Sequence, residues 1–231
     1  MKRNPIKKVL ILVSILAIPG FLFFYLLPQF AKNRYKSLPV FGKKTVATTF
    51  HSVKGKKIPD TIYHQIPDFK LYNQQNNIVD WSALKNKIVV MNLFYTDSKG
   101  TEVLKYLKTL SAGYEKKPLV RFVSLSVNSD DGMKMPAYAK QLGASAGKWD
   151  LLSGDTTATY PLIRSGLLLD VIKDDTKRSS SFIFSNKILL VDVQHRIRGI
   201  YEIDNPEARS RLEDEIKVLI AEYLRTLKDG R

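Results

Sequence analysis

The sequence predicts an α/β protein with a central mixed sheet flanked by helices, preceded by a transmembrane helix. The continuous apolar run 87–94, KIVVMNLF, is typical of a strand that is covered on both faces, and 118–127, PLVRFVSLSV, predicts a second buried strand. The stretch 101–110 between them places its apolar residues at helical spacing. A third observation, the charge-free run 9–27, separates the first part of the chain from the rest.

The run 9–27, VLILVSILAIPGFLFFYLL, predicts an uncleaved membrane anchor. At ~1.5 Å per residue a helix of this length spans about 28 Å, close to the ~30 Å hydrocarbon core of a bilayer. No small-x-small cleavage site follows it, which argues against a removable signal peptide. Pro19 and Gly20 predict a kink in its middle. Basic residues flank both ends, so the charges alone leave the orientation of the span open.

Local patterns predict the elements that follow. Residues 28–60 are polar and basic and are expected to form a tether or an irregular first segment. The stretch 62–81 predicts a short strand pair around a polar turn at 74–77. The remaining predicted elements are, in order, a helix at 136–144 stopped by Gly143, a strand at 149–152, a helix at 160–169, a hairpin at 187–202, and a long helix capped by Asn205 with Pro206 at its first position.

The resulting order, β–β–β–α–β–α–β–α–β–β–α, is the thioredoxin-like plan. The chain therefore divides into an N-terminal stretch 1–8, the anchor 9–27, the tether 28–60 and a thioredoxin-like domain 61–231. No internal repeat and no second domain is predicted.

The composition excludes several classes of function. The chain has no cysteine, which excludes disulfides, thiol redox catalysis and metal sites built on thiolates. Its net charge is +15, and residues 1–36 are rich in lysine and arginine without a single acid. No basic run is interleaved with aromatic residues, so nucleic-acid binding is not predicted. The early basic residues favour attraction to anionic lipid headgroups beside the anchor.

The turn after the first buried strand is the candidate site, because such turns often carry the chemistry of α/β proteins. Its polar side chains are those of Asp97, Ser98, Lys99 and Glu102. Nucleophilic catalysis at Ser98 needs a base within hydrogen-bond reach, and adjacency in sequence does not bring the amine of Lys99 there. We therefore expect only a helix start, with Ser98 or Thr101 as its cap and Glu102 in the first turn.

The three histidines do not predict a metal site, because no two of His51, His64 and His195 share a short spacing. His195 is expected at the surface, in the turn of the hairpin 187–202. The stretch 153–160, SGDTTATY, lacks the Gly-x-x-x-x-Gly-Lys pattern of a phosphate-binding loop.

Five stretches beyond the anchor are informative because of the order in which they occur. They are TIYHQIPDFKLYNQQ, FYTDS, VSLSVNSDD, LGASAGKWDLLSGD and KILLVDVQHRIRGIYE, preceded by LPVFG at 38–42. This ordered set resembles the Sco/SenC family over roughly residues 38–227. The resemblance implies a thioredoxin-like domain in the periplasm, held in a bacterial inner membrane by one span, with residues 1–8 in the cytoplasm. Members of that family deliver copper to cytochrome oxidase or act as thiol reductants during its assembly.

The family's copper site consists of a Cys-x-x-x-Cys turn after the first core strand and a distant histidine. On this chain the two cysteine positions fall at Ser98 and Glu102, and the histidine position falls at about Phe184. All three ligands are absent, and neither a hydroxyl nor a phenyl ring replaces a soft ligand of copper(I). An aspartate often found after the second core strand falls near Asn128. The resemblance therefore implies a degenerate member with no metal, no cofactor and no catalytic residue.

The expected function is non-enzymatic. The protein would act by protein contact in the assembly or stabilisation of a respiratory complex, with a terminal oxidase or its assembly factors as the partner and the bilayer as a second contact through 9–27. Two alternatives stay open: a structural accessory subunit of a membrane complex, and a copper or thiol-redox chaperone that uses a non-standard site.

Overall fold

The structure, a computed structural model, describes residues 5–26, 37–53, 55–97, 102–174 and 181–229. It divides the chain between Lys36 and Ser37 into two units. In the first unit, helix α1 (Pro5–Phe21) is followed by a π-helical turn at Leu22–Leu26. Leu27, the last residue of the predicted span, lies outside the described residues. Within the described part of the chain, no helix combines the length and the apolar character needed to cross a membrane.

The second unit is a mixed α/β domain. Its helices are α2 (Glu102–Gly113), α3 (Met135–Leu142), α4 (Thr156–Pro161) and α5 (Pro206–Lys228). Its strands are β1 (Lys44–Val53), β2 (Lys56–Tyr63), β3 (Leu71–Tyr72), β4 (Ile78–Val79), β5 (Ile88–Phe94), β6 (Val120–Ser126), β7 (Trp149–Leu152), β8 (Val171–Asp174), β9 (Ser181–Phe184), β10 (Lys187–Val191) and β11 (Ile197–Glu202).

The central sheet has the strand order β11-β10-β5-β6-β7. Strands β5, β6 and β7 are parallel, and β10 runs antiparallel to both β5 and β11. Every residue of β5 is buried, because alternate side chains enter two separate cores on the two faces of the sheet. One core includes α2, α3 and α5, and the other includes β3, β4 and the chain after α4. The mixed central sheet predicted from the apolar runs is confirmed.

The ends of the helices follow local signals in the sequence. The side chain of Asn205 accepts the backbone N–H of Glu207 at 2.8 Å, and Pro206 occupies the first position of α5. Gly143 ends α3 in a left-handed conformation with φ +75°. The helix predicted at 160–169 begins earlier, at α4, because Asp155 accepts the N–H of Ala158 and caps it there.

The β3–β4 turn closes the β7 edge of the central sheet. Tyr72 and Ser153 exchange two backbone hydrogen bonds, of 3.0 and 2.9 Å. Beyond them, the buried amide of Gln74 accepts the N–H of Leu151 at 2.9 Å and donates to the carbonyl of Trp149 at 2.9 Å. One side chain thereby supplies the donor and the acceptor that a neighbouring strand would supply, which blunts an otherwise open edge.

The structure differs from the expected tether or irregular segment over much of 28–60. From Lys44 onward the chain forms a regular antiparallel hairpin, β1–β2, which turns at Gly55 with φ +79°. Its threonine, valine and isoleucine residues favour strands, but both of its faces are exposed, so no apolar-polar alternation marked it in the sequence. A second hairpin, β8–β9, was not predicted either. Residues 28–36 lie outside the described residues.

The stretch just before β1 is held to the domain by Arg198, whose side chain is only 4% exposed. Its guanidinium donates to the carbonyl oxygens of Leu38 at 2.7 Å and Pro39 at 3.1 Å. It also forms ion pairs of 3.0 Å with Asp192 and with Glu222. Since a buried charge needs such partners, the arginine and the stretch before β1 hold each other in place.

Candidate functional site

The candidate site lies where the parallel strands β5 and β6 end. The carboxyl ends of neighbouring parallel strands meet at one edge of a sheet, and this is where ligands of open α/β sheets bind. Residues 95–97 follow β5, and 127–134 follow β6. Ser98 and Thr101 lie outside the described residues, so the prediction that one of them caps α2 stays a prediction.

A fully buried carboxylate, that of Asp131, joins the two strand ends. It accepts the backbone N–H of Thr96 at 2.8 Å, the hydroxyl of Thr96 at 2.6 Å, the hydroxyl of Ser126 at 2.6 Å and the amide of Asn128 at 3.1 Å. Four donors replace the water that the carboxylate loses on burial. The sequence analysis did not single out this residue, although Ser126, Asn128 and Asp131 stand together in VSLSVNSDD.

Asn128, near which the resemblance places an aspartate of the family, has a structural role. Its side-chain oxygen accepts the N–H of Asp130 at 3.2 Å and caps the short 3₁₀ turn Ser129–Met133. Its side-chain nitrogen donates to Asp131. Both ends of the amide are therefore used in holding the chain after β6.

Asp97 forms an ion pair with Lys134, which donates to both carboxylate oxygens at 2.9 Å. The hydrogen bond to Asp97 raises the pKa of Lys134. Both side chains are more than half exposed, so solvent screens the pair and it contributes little to stability. The pair nevertheless engages both carboxylate oxygens of Asp97, the acid that immediately precedes Ser98.

Glu102 is the first residue of α2, which confirms the predicted helix from this position onward. Its exposed carboxylate accepts a hydrogen bond of 2.8 Å from Lys105, and that bond is the main reason for its lowered pKa. A negative charge in the first turn also interacts favourably with the positive, N-terminal end of the helix dipole. The carboxylate is thus directed along the helix surface toward a lysine.

Phe184 lies in β9 and packs against the residue that follows β5. Its ring meets the ring of Tyr95 edge-on, with centroids 6.0 Å apart, and Phe182 meets the same ring at 5.4 Å. Both geometries are favourable for aromatic pairs. The structure therefore brings the histidine-equivalent position implied by the resemblance next to the strand end that leads into Ser98, and places an apolar ring there.

The histidines have separate partners. His51 lies in β1 and its ring is 2.6 Å from the carboxylate of Asp60. Nε2 of His64 lies 2.8 Å from the carbonyl oxygen of Gly166. Across the described ranges, no three histidine, aspartate or glutamate side chains come together as a metal site would require. The expectation that the protein holds no metal remains a prediction, because Ser98 and its neighbours are outside these ranges.

His195 differs from the plain surface residue that was expected. Its backbone has φ +62°, and its half-buried ring stacks on the indole of Trp81 with centroids 3.9 Å apart and planes 9° apart. Burial lowers the pKa of the imidazole. The turn position was predicted correctly, whereas the aromatic partner, distant in sequence, was not.

Comparison with known proteins gives a fold and no sequence family. Neither a protein-family model nor a curated protein sequence matches the chain. A SCO1/SenC family lipoprotein from Bacillus anthracis is similar in structure, with 20% identity, a TM-score of 0.59, and coverage of 68% of this chain and 95% of that one. BsSco, a member of the Sco family of cytochrome c oxidase assembly proteins, has 17% identity, a TM-score of 0.58, and coverage of 68% and 93%.

A structure solved with copper bound has a similar fold. ScoI from Bradyrhizobium japonicum, solved with copper bound, has 19% identity, a TM-score of 0.51, and coverage of 64% of this chain and 97% of that one. At such identities the likeness is one of fold. The resemblance inferred from the sequence motifs is thus matched by the structure: the chain folds as the Sco/SenC proteins do, as a thioredoxin-like α/β domain, and it does so without a cysteine.

Proposed function

We propose that this protein is a degenerate Sco-like protein that acts by protein contact, without copper or thiol chemistry, in the assembly or stabilisation of a respiratory complex. One observation carries the proposal: the chain covers 95% of a Sco-family structure but contains no cysteine. The fold links it to proteins of cytochrome c oxidase assembly. The missing thiols remove the groups with which such a fold binds copper or exchanges disulfides.

The side chains at the family's ligand positions support the copper-free part. Copper(I) is soft and is held by thiolate, thioether or imidazole groups. Glu102 offers a hard carboxylate that is already paired with Lys105. Phe184 offers a ring without a lone pair, packed on Tyr95. Neither side chain is a substitute for the ligand that it replaces.

Attachment to a bacterial inner membrane is part of the proposal, with the domain in the periplasm. The run 9–27 carries no charge, and α1 presents exposed apolar side chains, among them Leu12, Val13, Ile15 and Ile18. The Bacillus anthracis protein is a lipoprotein. Because this chain has no cysteine to carry a lipid, its own apolar segment would serve instead. Protease added to intact spheroplasts should digest residues 37–231, and protection until lysis would show the opposite orientation.

Copper(I) binding can be tested by competition against a chromogenic copper(I) chelator, using the full chain in mild detergent. The wild type should not compete with a sub-micromolar chelator. The variant Ser98→Cys, Glu102→Cys, Phe184→His should compete, because two thiolates and an imidazole would then meet beside Tyr95. Stoichiometric binding by the wild type would overturn the copper-free part of the proposal.

A matched control separates the geometry of the turn from the mere presence of thiols. Lys105→Cys and Thr109→Cys place two cysteines four positions apart within α2, where both side chains are exposed. Their β-carbons would lie ~5–6 Å apart, beyond the ~3.5–4.5 Å of a disulfide. Thiol titration after mild oxidation should find a disulfide in the Ser98–Glu102 pair and free thiols in the control. Free thiols in both would mean that these positions do not correspond to the family's cysteines.

The partner can be identified by a pull-down from gently solubilised membranes. Sub-stoichiometric recovery together with unassembled oxidase subunits is the expected result for an assembly protein. Constant stoichiometry with the mature complex would instead identify a structural accessory subunit, and recovery of neither would contradict a role at a respiratory oxidase.

A further inference from the structure

The β1–β2 hairpin is a two-sided apolar ribbon. Four large apolar side chains are exposed on it: Val46 at 75%, Phe50 at 61%, Ile58 at 41% and Ile62 at 58%. Cross-strand pairing puts Phe50 opposite Pro59 on one face and Ile62 opposite Thr45 on the other. Apolar surface is therefore present on both faces of the same ribbon.

The hairpin is attached to the domain at its base. The N–H of His64 donates to the carbonyl oxygen of Lys43 at 3.0 Å, and the guanidinium of Arg196 lies over the ring of Tyr63. Toward the turn at Gly55 the described side chains are exposed. An isolated two-stranded hairpin is at best marginally stable in water, and its free edges invite a partner. A long ribbon with exposed apolar residues is thus expected to be covered by something.

The charge of the ribbon indicates what covers it. Lysine is its dominant charged residue, at positions 44, 56 and 57, and Lys43 directly precedes it. Its one acid, Asp60, is held by hydrogen bonds from Thr49 and His51, which lower its pKa. A basic, apolar surface complements anionic lipid headgroups, and each lysine near such a surface strengthens binding about fivefold.

The two-sided distribution favours a lipid surface over a protein partner. A protein that covered the face of Phe50 would leave Ile62 in water, whereas a layer of headgroups surrounds a ribbon on both faces. Lysine ammonium groups remain at the phosphate level while their methylene stems cover apolar surface. The free backbone groups of the edges cannot enter the hydrocarbon, which limits the ribbon to the depth of the headgroups.

We propose that the β1–β2 hairpin rests in the headgroup layer of an anionic membrane and so forms a second membrane contact of this protein. The inference rests on the proposed anchoring through 9–27. Residues 28–36 connect that segment to the stretch that Arg198 holds against the domain, and nine residues extend at most about 32 Å at ~3.6 Å per residue. The second contact is therefore intramolecular, and a weak attraction is enough to sustain it.

The absence of cysteine allows a site-specific probe. Phe50→Cys in the full chain would carry the only thiol, to be labelled with an environment-sensitive fluorophore and reconstituted into vesicles of phosphatidylcholine with or without 30% phosphatidylglycerol. A headgroup-attached quencher should quench this label at least twofold more strongly in the anionic vesicles. Lys116→Cys, on an exposed turn that precedes β6, is the matched labelling control and should show no such difference.

A charge test follows in the Phe50→Cys background. Replacing Lys56 and Lys57 by Gln should lower the ratio of quenched to unquenched label about fivefold per lysine, because ~1 kcal/mol corresponds to that factor. Replacing Lys116 and Lys117 by Gln removes the same charge elsewhere and should leave the ratio unchanged. An equal fall of this ratio in the Lys56/Lys57 and Lys116/Lys117 variants would overturn the inference.

The remaining outcomes distinguish this inference from the proposed anchoring. A chain that floats with vesicles while its Phe50 label stays as unquenched as the control overturns the hairpin contact alone. A chain that does not float overturns both. Quenching that depends on the protein-to-lipid ratio, and not on lipid charge, would mean that a second copy covers the ribbon, which also overturns the lipid contact.

Discussion

At the scale of single residues, His195 predicts a pH dependence of stability. Burial against Trp81 lowers the pKa of its imidazole below the ordinary value of ~6.5, with Asp192 and Asp68 opposing the shift. Because the unfolded chain binds the proton first, stability should fall as the pH drops from 6.5 toward the lowered pKa, and the histidine should contribute nothing above that range.

The substitution His195→Asn tests this contribution. Asparagine tolerates the positive φ of the turn, so the hairpin should keep its shape. Free energies of unfolding from urea titrations between about pH 7.5 and 5 should fall less steeply in the variant than in the wild type. The same slope in both proteins would mean that the buried ring does not govern the change.

Gly199 is a residue whose lack of a side chain is required by its neighbour. The buried ring of Tyr201 lies over it, and a β-carbon at position 199 would collide with that ring. The ring cannot move easily, because its hydroxyl donates to the carboxylate of Glu215. Gly199→Ala should therefore cost ~1–3 kcal/mol, measured by urea denaturation. Gly113→Ala is the control, since no described atom beyond its chain neighbours and the backbone of its own helix lies within 4 Å of the added β-carbon. An equal cost there would contradict the steric explanation.

The central residue of the candidate site could not be predicted from the sequence. Asp131 becomes important only because folding places Thr96, far away in the sequence, against it. Ser98 and Glu102 were located by resemblance to a motif, and Phe184 by its distance from a recognisable strand. The assignment of Phe184 stays a prediction. Its ring contact with Tyr95 joins residues far apart in the sequence, so no local pattern could indicate that contact.

At the scale of elements, prediction succeeded where one face or both faces of an element are buried. Strand β5 is recognisable in the sequence because nearly all of its residues are apolar, and all of them are buried in the structure. Helix α5 is recognisable because Asn205 and Pro206 mark its start. Hairpins β1–β2 and β8–β9 escaped prediction, because residues such as Val46 and Ile172 expose apolar side chains to solvent and so break the expected alternation.

The attachment of the stretch before β1 also gives a prediction at this scale. Arg198→Ala would leave Asp192 with Arg196 as its remaining cation, and would take this ion pair from Glu222 and this donor from the carbonyls of Leu38 and Pro39. We expect a loss of ~1–3 kcal/mol, the usual cost of leaving buried polar groups without a hydrogen-bond partner. Amide hydrogen exchange at Leu38, which donates to Glu222, should accelerate more than exchange in β5.

Lys217→Ala provides the comparison for Arg198. Its ion pair with Asp214 is exposed, so its removal should change the free energy of unfolding much less than Arg198→Ala does and leave amide exchange at Leu38 as it was. Equal losses of stability and equal changes in exchange for the two substitutions would show that the burial of Arg198 is not the cause of its effect.

At the scale of the whole molecule, the central sheet joins two cores that should unfold together. Trp149 belongs to the core on one face and Trp81 to the core on the other, so the chain contains one natural reporter for each. In the single-tryptophan variants Trp81→Phe and Trp149→Phe, the fluorescence transition in urea should coincide with the loss of far-ultraviolet circular dichroism. A fluorescence midpoint that departs from the dichroism in either variant would show that one core melts independently.

Gln74, the side chain that caps the edge of β7, affects the solubility of the protein in the cell. With Gln74 in place, the sheet ends at a polar cap that no other chain can extend. A leucine there would keep the shape of the fold but leave backbone groups of Leu151 and Trp149 unpaired at the edge of β7, whose residues are apolar except for Asp150. Unpaired edge strands are the templates on which cross-β structure grows. The first symptom would be insolubility during synthesis, when many copies meet at high local concentration, and a purified sample of the surviving fraction would look normal.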